Sequence, residues 1–429
     1  MRPGGRLAAA IEVLTDFDAR RVPMKTCLQD WARGARFAGS GDRAWISGLA
    51  LDALRRRASL AASMDEGAPR AAALGALRWL WGWDVETIAA AAGEAPHGPG
   101  ALSDAETAAL SGDLKTDIDA PEWLHPHLMR VFGEAAAEEV AALSARAPVD
   151  LRVNHLKSDD ERAVKALSPL GATPSDVLAQ ALRIPAPAPE AKAPALEASP
   201  AYAKGWVEVQ DLGSQIAALA AGEVAGRQVL DYCAGGGGKT LALAAQMGNS
   251  GQVFAYDADA RRLAPIFERL RRAGARNVQV RSPAENADLS EIKGRMDVVF
   301  IDAPCTGTGT WRRKPDAKWR LTEDQLQRRM DEQDAILRAA AEFVKPGGVL
   351  VYATCSVLMA ENEDRLAAFT TEHPAFSPEA VLPAISETGE LAPGAGDRLA
   401  ACSTPDGALR LTPRRLGADG FFVARLRRA

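Results

Sequence analysis

Apolar residues along this 429-residue chain fall into three zones with different periods. From about Arg6 to Ala145 the sequence is rich in Ala and Leu, with apolar positions recurring at helical spacing and few β-branched runs. Ser40–Arg55 reads as a cap followed by an amphipathic helix with Trp45, Ile46, Leu49, Leu51 and Leu54 on its apolar side. Ser103-Asp-Ala-Glu106 has the reciprocal capping pattern that opens a helix, and another begins at Pro121 and runs through Val131. This zone predicts an all-α bundle over residues 1–145.

Residues 146–205 predict a compact α+β element. Asp150–Asn154 and Ala181–Ile184 have strand character, and Ser158–Arg162 caps a helix through Leu167. The stretch from Pro185 through Leu196 is Pro/Ala-rich, which predicts an extended linker. After Gly205 the pattern alternates. Val229–Asp231, Val253–Asp257, Val278–Arg281, Asp297–Asp302 and Gly348–Ala353 read as strands, separated by helical stretches such as Arg261–Ala273 and Thr322–Phe343. Alternating strands and helices predict an α/β domain with a doubly wound parallel sheet over residues 206–429.

Composition adds exclusions. No apolar run approaches the roughly 18 residues of a membrane span, and the densest, Ala71–Trp83, is broken by Arg78. The N-terminus has no apolar core of a signal peptide, so the expectation is a cytoplasmic chain without a membrane partner. Net charge is −5, against a nucleic-acid partner at first sight. That average conceals basic clusters at Arg269–Arg281, Arg312–Arg320 and Arg414–Arg428, which serve either solvated faces or phosphate contacts. The five cysteines are odd in number and widely spaced, without a C-x-x-C pair, which disfavours a disulfide framework. His125 and His127 would diverge on a helix, and no metal is expected.

Candidate chemistry gathers where strands end. The first strand of the α/β zone runs into Cys233-Ala234-Gly235-Gly236-Gly237-Gly238-Lys239-Thr240, a glycine turn that lets a ligand approach backbone and helix N-terminus. A P-loop would need glycine at Cys233, and a dinucleotide fingerprint would need it at Thr240. The turn of a class I methyltransferase remains, with Asp257 at the end of the next strand placed to bind ribose hydroxyls. Further on, Asp302-Ala-Pro-Cys305 and Thr354-Cys355-Ser356 each put a cysteine at the same sheet edge. A buried cysteine is often a small core residue, but two at neighbouring strand ends, one behind an acid, suit covalent chemistry. Carbon 5 of cytosine is too weakly nucleophilic to take a methyl group from a sulfonium. A thiolate adding to carbon 6 activates it, an acid can hold the pyrimidine edge, and Lys239 can stabilise developing charge.

These motifs, with Gly205–Asp211, Arg312–Trp319, Glu361-Asn-Glu363 and Asp419-Gly-Phe-Phe422, resemble the RsmB/Nop/Sun family of RNA (cytosine-5) methyltransferases. The resemblance is strong over 205–429 and looser through Trp123 and Leu151–Asn154. It implies S-adenosyl-L-methionine as cofactor and RNA, ribosomal before transfer RNA, as partner. It also implies a class I (Rossmann-like) methyltransferase fold, rRNA processing as the biological setting, and a monomer. On matching residues it makes Cys355 the nucleophile, Cys305 the helper in product release, and Asp302 and Lys239 contacts of the target base. The loop from Cys233 to Lys239, Asp257, Asp302 and either Glu285 or Asn286 would hold the cofactor. Gly236 departs from the family, which often has proline there. The N-terminal bundle is similar to a NusB-like RNA-binding domain and 146–205 to a small RRM-like subdomain. Competing readings are a methyltransferase of protein or small molecules, which leaves both cysteines idle, and a NusB-like RNA-binding protein with a vestigial catalytic domain.

Overall fold

The computed structural model describes residues 1–191, 195–283 and 288–429. The chain forms two compact units. One is built from Met1–Arg146 with a short piece beginning at Ala186 and the segment Trp311–Thr322; the other comprises Ala147–Pro185, Ala195–Thr310 and Glu323–Ala429. Among the described residues no helix is long and apolar enough to cross a membrane, and no group of three or more His, Cys, Asp or Glu side chains could hold a metal ion.

The first unit is helical: α1 (Pro3–Arg20), α2 (Met24–Gly34), α3 (Ser40–Arg55), α4 (Arg57–Met64), α5 (Pro69–Gly75), α6 (Val85–Ala92), α7 (Asp104–Leu110), α8 (His125–Phe132) and α9 (Ala136–Ser144). Proline at the first turn of α1 removes a donor that would have no partner there. Asp84 caps α6 by accepting from the Thr87 N–H at 2.7 Å, and Ser103 and Glu106 close the expected reciprocal cap on α7. Ser40 lies inside α3; the cap position is Gly39, whose N–H donates to Asp42. Leu7, Val13, Phe17, Ile46, Leu49, Leu60, Leu74 and Ile88 form the core. Trp45 and Leu54 are buried as expected, whereas Leu51 is half-buried.

Residues 311–322, expected within the α/β zone, pack in this helical unit. The physical cause is at the C-terminus of α3, whose last carbonyls have no partner inside the helix. Trp319 Nε1 donates to Leu54 O at 2.6 Å and Lys318 Nζ to Arg55 O at 3.0 Å and Ser144 Oγ at 2.8 Å. Arg55 in turn donates to Arg312 O at 2.6 Å.

The second unit holds two sheets. The small one, in the order β2-β3-β1-β4, uses β1 (Val149–Val153), β2 (Thr173–Pro174), β3 (Ala181–Ile184) and β4 (Val207–Val209), all antiparallel. It thus reaches past the expected boundary at 205. The large one contains β5 (Gln228–Asp231), β6 (Gln252–Tyr256), β7 (Val278–Arg281), β8 (Met296–Asp302), β9 (Val344–Thr354), β10 (Phe376–Glu379), β11 (Leu409–Leu411) and β12 (Phe421–Arg428). Its order is β10-β12-β9-β8-β5-β6-β7, with β11 on β12. The five strands expected from sequence are its parallel part; β10–β12 add an antiparallel flank. β5 lies where the connections change direction, the place where such sheets open a crevice beyond their carboxyl ends. Val229, Val253, Val298, Phe300 and Val351 form the core beneath it.

Members of two of the three basic clusters are engaged inside this unit. Arg425 and Arg427 both bind Glu379, and Arg428 donates to Val344 O. Arg269 and Arg272 converge on buried Glu208.

Candidate active site

The carboxyl ends of β5, β6, β8 and β9 meet around a cleft of about 780 Å³ lined by Cys233, Asp257, Asp302, Cys305 and Cys355. The glycine loop between β5 and the helix Gly238–Gln246 passes under it. Gly237 has φ +83°, and a Cβ there would sit 2.5 Å from Ile266 Cγ1, so only glycine fits. The loop is fixed at both sides. Gly235 N–H donates to Asp257 Oδ2 at 2.9 Å, and Arg269 donates to Gly236 O at 2.7 Å. Arg269 also binds Glu208 in the small sheet, at 3.2 Å. The guanidinium therefore restrains the loop at Gly236.

Asp257 is buried at the end of β6 and accepts the Asp259 N–H on its other oxygen at 2.9 Å. A carboxylate has lone pairs to spare after two such bonds. With the close-approach loop beside it, the donor set fits a ribose diol and the adenosyl group attached to it. Asp231, below the loop, is fully buried; burial pushes its carboxyl up to about 7 while Thr240 Oγ1 donates to it at 2.6 Å. Burial likewise pushes the Cys233 thiol well up, which leaves Cys233 a neutral wall residue.

Lys239 is buried, with Nζ 2.6 Å from Asp302 Oδ2 and 5.2 Å from the Phe421 ring centroid. Asp302 is at the end of β8 and half-exposed toward the cleft. Beyond it Cys305 Sγ lies 3.4 Å from Cys355 Sγ at the end of β9. The hydrogen bond to Cys355, burial, and the charge of Glu361 together push the Cys305 thiol well above its usual range. Cys305 therefore holds its proton.

Glu361 organises the two cysteine segments. It is completely buried; its Oε1 accepts from Thr306 N–H at 2.7 Å and Gln333 Nε2 at 3.1 Å, and its Oε2 accepts from Thr306 Oγ1 at 2.5 Å and from Ser356 Oγ. Gln333 also donates to Pro304 O at 2.9 Å. One carboxylate thus ties the residue after Cys305 to the residue after Cys355. Gly309 completes the arrangement by accepting from Gly420 N–H and donating to Cys355 O; a Cβ on it would come 2.0 Å from Gly420 O.

Structure therefore brings together Cys233–Lys239, Asp257, Asp302, Cys305 and Cys355. Glu285 and Asn286 lie outside the described residues. Glu361 falls within a motif of the resemblance that implies no role for it, and nothing in the local sequence marks Gln333, Arg269 or Glu208 as site residues. An acid five residues after Ser356, in a loop following a strand end, was the available signal for Glu361.

A doubly wound sheet with an acid-anchored glycine loop, and no Walker or dinucleotide pattern, defines a class I methyltransferase. Residues 218–427 match the model of the 16S rRNA methyltransferase RsmB/F, and residues 120–190 match the ferredoxin-like domain of RsmF/B-like methyltransferases. The probable ribosomal RNA small subunit methyltransferase B of Synechocystis is 32% identical over 317 residues, 72% of this chain and 67% of that one. Its Bacillus subtilis counterpart is 31% identical over 322 residues, 73% and 68% of the two chains. The crystal structure of PH0851 superposes with a TM-score of 0.70 at 23% identity, covering 99% of each chain. The chain belongs to the RsmB/F family of methyltransferases, whose methyl donor is S-adenosylmethionine.

Proposed function

We propose that this protein methylates carbon 5 of a cytosine in small-subunit ribosomal RNA through a covalent adduct with Cys355. The observation that carries the reading is the pair of thiols 3.4 Å apart at the mouth of the cleft, beside Asp302 and Lys239. A methyltransferase acting on protein or a small molecule has no use for such a pair. The relatives' names supply the RNA.

When bound, S-adenosylmethionine supplies an electrophilic methyl group on a sulfonium. Asp257 and the loop from Cys233 to Lys239 hold its ribose and adjoining atoms. Cys355 as thiolate forms a bond to carbon 6, and the electron pair of the carbon 5–carbon 6 double bond moves to carbon 5. Asp302 holds the pyrimidine edge at N3, and Lys239 offsets the charge that develops there. After the methyl group is on carbon 5, that carbon gives its proton to solvent in the open cleft, the electron pair of the carbon–hydrogen bond re-forms the double bond, and the carbon 6–sulfur bond breaks to return the Cys355 thiolate. Cys305, kept protonated, assists this release 3.4 Å from the leaving sulfur.

Cys305→Ala tests the scheme directly. The variant, incubated with small-subunit RNA and S-adenosylmethionine, is expected to accumulate a protein–RNA band that survives denaturing electrophoresis. No such band would overturn the release role. Bisulfite sequencing of total RNA with and without the gene is expected to lose one 5-methylcytosine from 16S RNA. An unchanged 16S pattern with a lost site in transfer RNA would reassign the substrate.

A further inference from the structure

The two thiols of the cleft sit close enough for a second chemistry. Cys305 Sγ and Cys355 Sγ are 3.4 Å apart, against about 2.05 Å in a disulfide, so joining them asks for about 1.4 Å of approach. The Cys305 side can supply it. Residues 303–307 belong to neither helix nor strand, and Gly307 has φ +71°. A Cβ on Gly307 would come 4.0 Å from Cys355 Sγ, so this loop already lies against the thiol it would meet. Glu361 binds Thr306 on one side and Ser356 on the other, which keeps the thiols adjacent although they are 50 residues apart in sequence.

Access is selective. Cys305 and Cys355 are half-buried and line the open cleft, whereas Cys27, Cys233 and Cys402 are buried. A small oxidant entering the cleft therefore meets this pair before any other thiol of the chain. A lone thiolate in such a place is at risk, because oxidation can run on to a sulfinic acid that thiols do not reverse. A second thiol at 3.4 Å intercepts the first oxidation product before that happens.

We propose that Cys305 and Cys355 form a site of reversible oxidation, at which a hydroperoxide converts the pair to a disulfide that blocks methyl transfer. For its effect on activity the inference rests on the covalent role of Cys355 proposed above. Cys355 as thiolate attacks the peroxide: a sulfur–oxygen bond forms, the oxygen–oxygen bond breaks, and the departing hydroxide takes a proton from solvent. The product is a sulfenic acid on Cys355. Cys305 sulfur then bonds to Cys355 sulfur, the sulfur–oxygen bond breaks, and the proton that Cys305 has held leaves with the hydroxyl as water. Two electrons pass from the thiols to the peroxide, and two waters form. A disulfide open to the cleft is in turn reachable by a small dithiol, which restores both thiols by exchange.

The test treats the full-length chain with hydrogen peroxide, alkylates the remaining thiols with iodoacetamide, and reads intact and peptide masses beside a methyl-transfer assay. The expected product has lost two hydrogen atoms, with its peptides joined through Cys305 and Cys355. Methyl transfer should fall in proportion to the joined fraction and return in full with dithiothreitol. In Cys305→Ala the same exposure should carry Cys355 to the sulfinic acid, with no joined peptides and a mass that dithiothreitol does not restore. A sulfinic acid on Cys355 of the unaltered protein, without joined peptides, would overturn the oxidation site and leave the proposed methylation standing. Complete joining with undiminished methyl transfer would overturn both, since the block and the attack on carbon 6 require the same thiol.

Discussion

The chain buries two lysines among its described residues, and they do opposite things. Lys239 faces a carboxylate, Asp302, at 2.6 Å and opens on the catalytic cleft. Lys318 has only neutral acceptors, Arg55 O and Ser144 Oγ, beneath the rings of Trp311 and Trp319. Burial pulls its ammonium down to about 7. A carboxylate makes one buried lysine half of an ion pair at a cleft, whereas a carbonyl and a hydroxyl hold the other as a fastener. The same contrast runs through the two units. In the catalytic unit, charge is poised at a surface and held there from behind; in the helical unit, the segment 311–322 spends its buried polar groups on helix ends.

The largest expected effect falls on the reacting thiol. Cys355→Ala should reduce methyl transfer from radiolabelled S-adenosylmethionine by on the order of 10⁴-fold or more, with an unchanged melting temperature. Residual activity above a hundredth would remove Cys355 from the nucleophile's place. Next comes the carboxylate behind it. Glu361→Ala leaves the donors of Thr306 and Gln333 facing no acceptor, so kcat should drop by about 10²-fold and stability by about 2–3 kcal/mol. An active enzyme with native stability would show that Glu361 organises nothing.

In the helical unit the expected loss is of stability alone. Lys318→Ala should cost about 2–4 kcal/mol in urea unfolding of the full chain, from the cavity and two lost hydrogen bonds. Lys318→Met should behave differently with pH. In the unfolded chain the amine keeps its proton up to its ordinary 10.5, whereas in the folded chain it loses it near 7. The unfolded state therefore binds more protons between those values, and this group makes stability rise with pH across the window. The difference in unfolding free energy between the unaltered protein and Lys318→Met should shift in favour of the former from pH 7 to pH 9. A constant difference would mean that Lys318 stays charged. The smallest effect concerns the cofactor loop. Arg269→Met removes the bond to Gly236 O and should weaken S-adenosylmethionine about fivefold, equivalent to about 1 kcal/mol. Gly236→Pro on that background should recover the affinity by stiffening the loop from within.

Much of the catalytic site was legible because its groups sit at strand ends. Asp257, Asp302, Cys305 and Cys355 each follow an apolar run within a few residues, so a strand pattern places them at one edge. The parallel strands were legible for the same reason. β10–β12 were not, since Leu409–Leu411 is short and Arg425 and Arg427 break the apolar pattern of β12 while pairing with distant Glu379. The basic clusters stayed undecided in the sequence, because counting arginines cannot tell a residue bound to Glu208 from one facing solvent.

The sequence by itself determined the order of elements, the strand ends that carry the acids and thiols, and the failure of the competing nucleotide motifs, because these depend on spacing of a few residues. Tertiary structure decided which of those groups touch. Glu361 binding both cysteine segments, Arg269 restraining Gly236, and residues 311–322 joining the helical unit all depend on partners 33 to more than 250 residues away or on a loop's curvature. Unpaired helix carbonyls and buried charges must find partners wherever the folded chain offers them, and that choice leaves no local pattern to read.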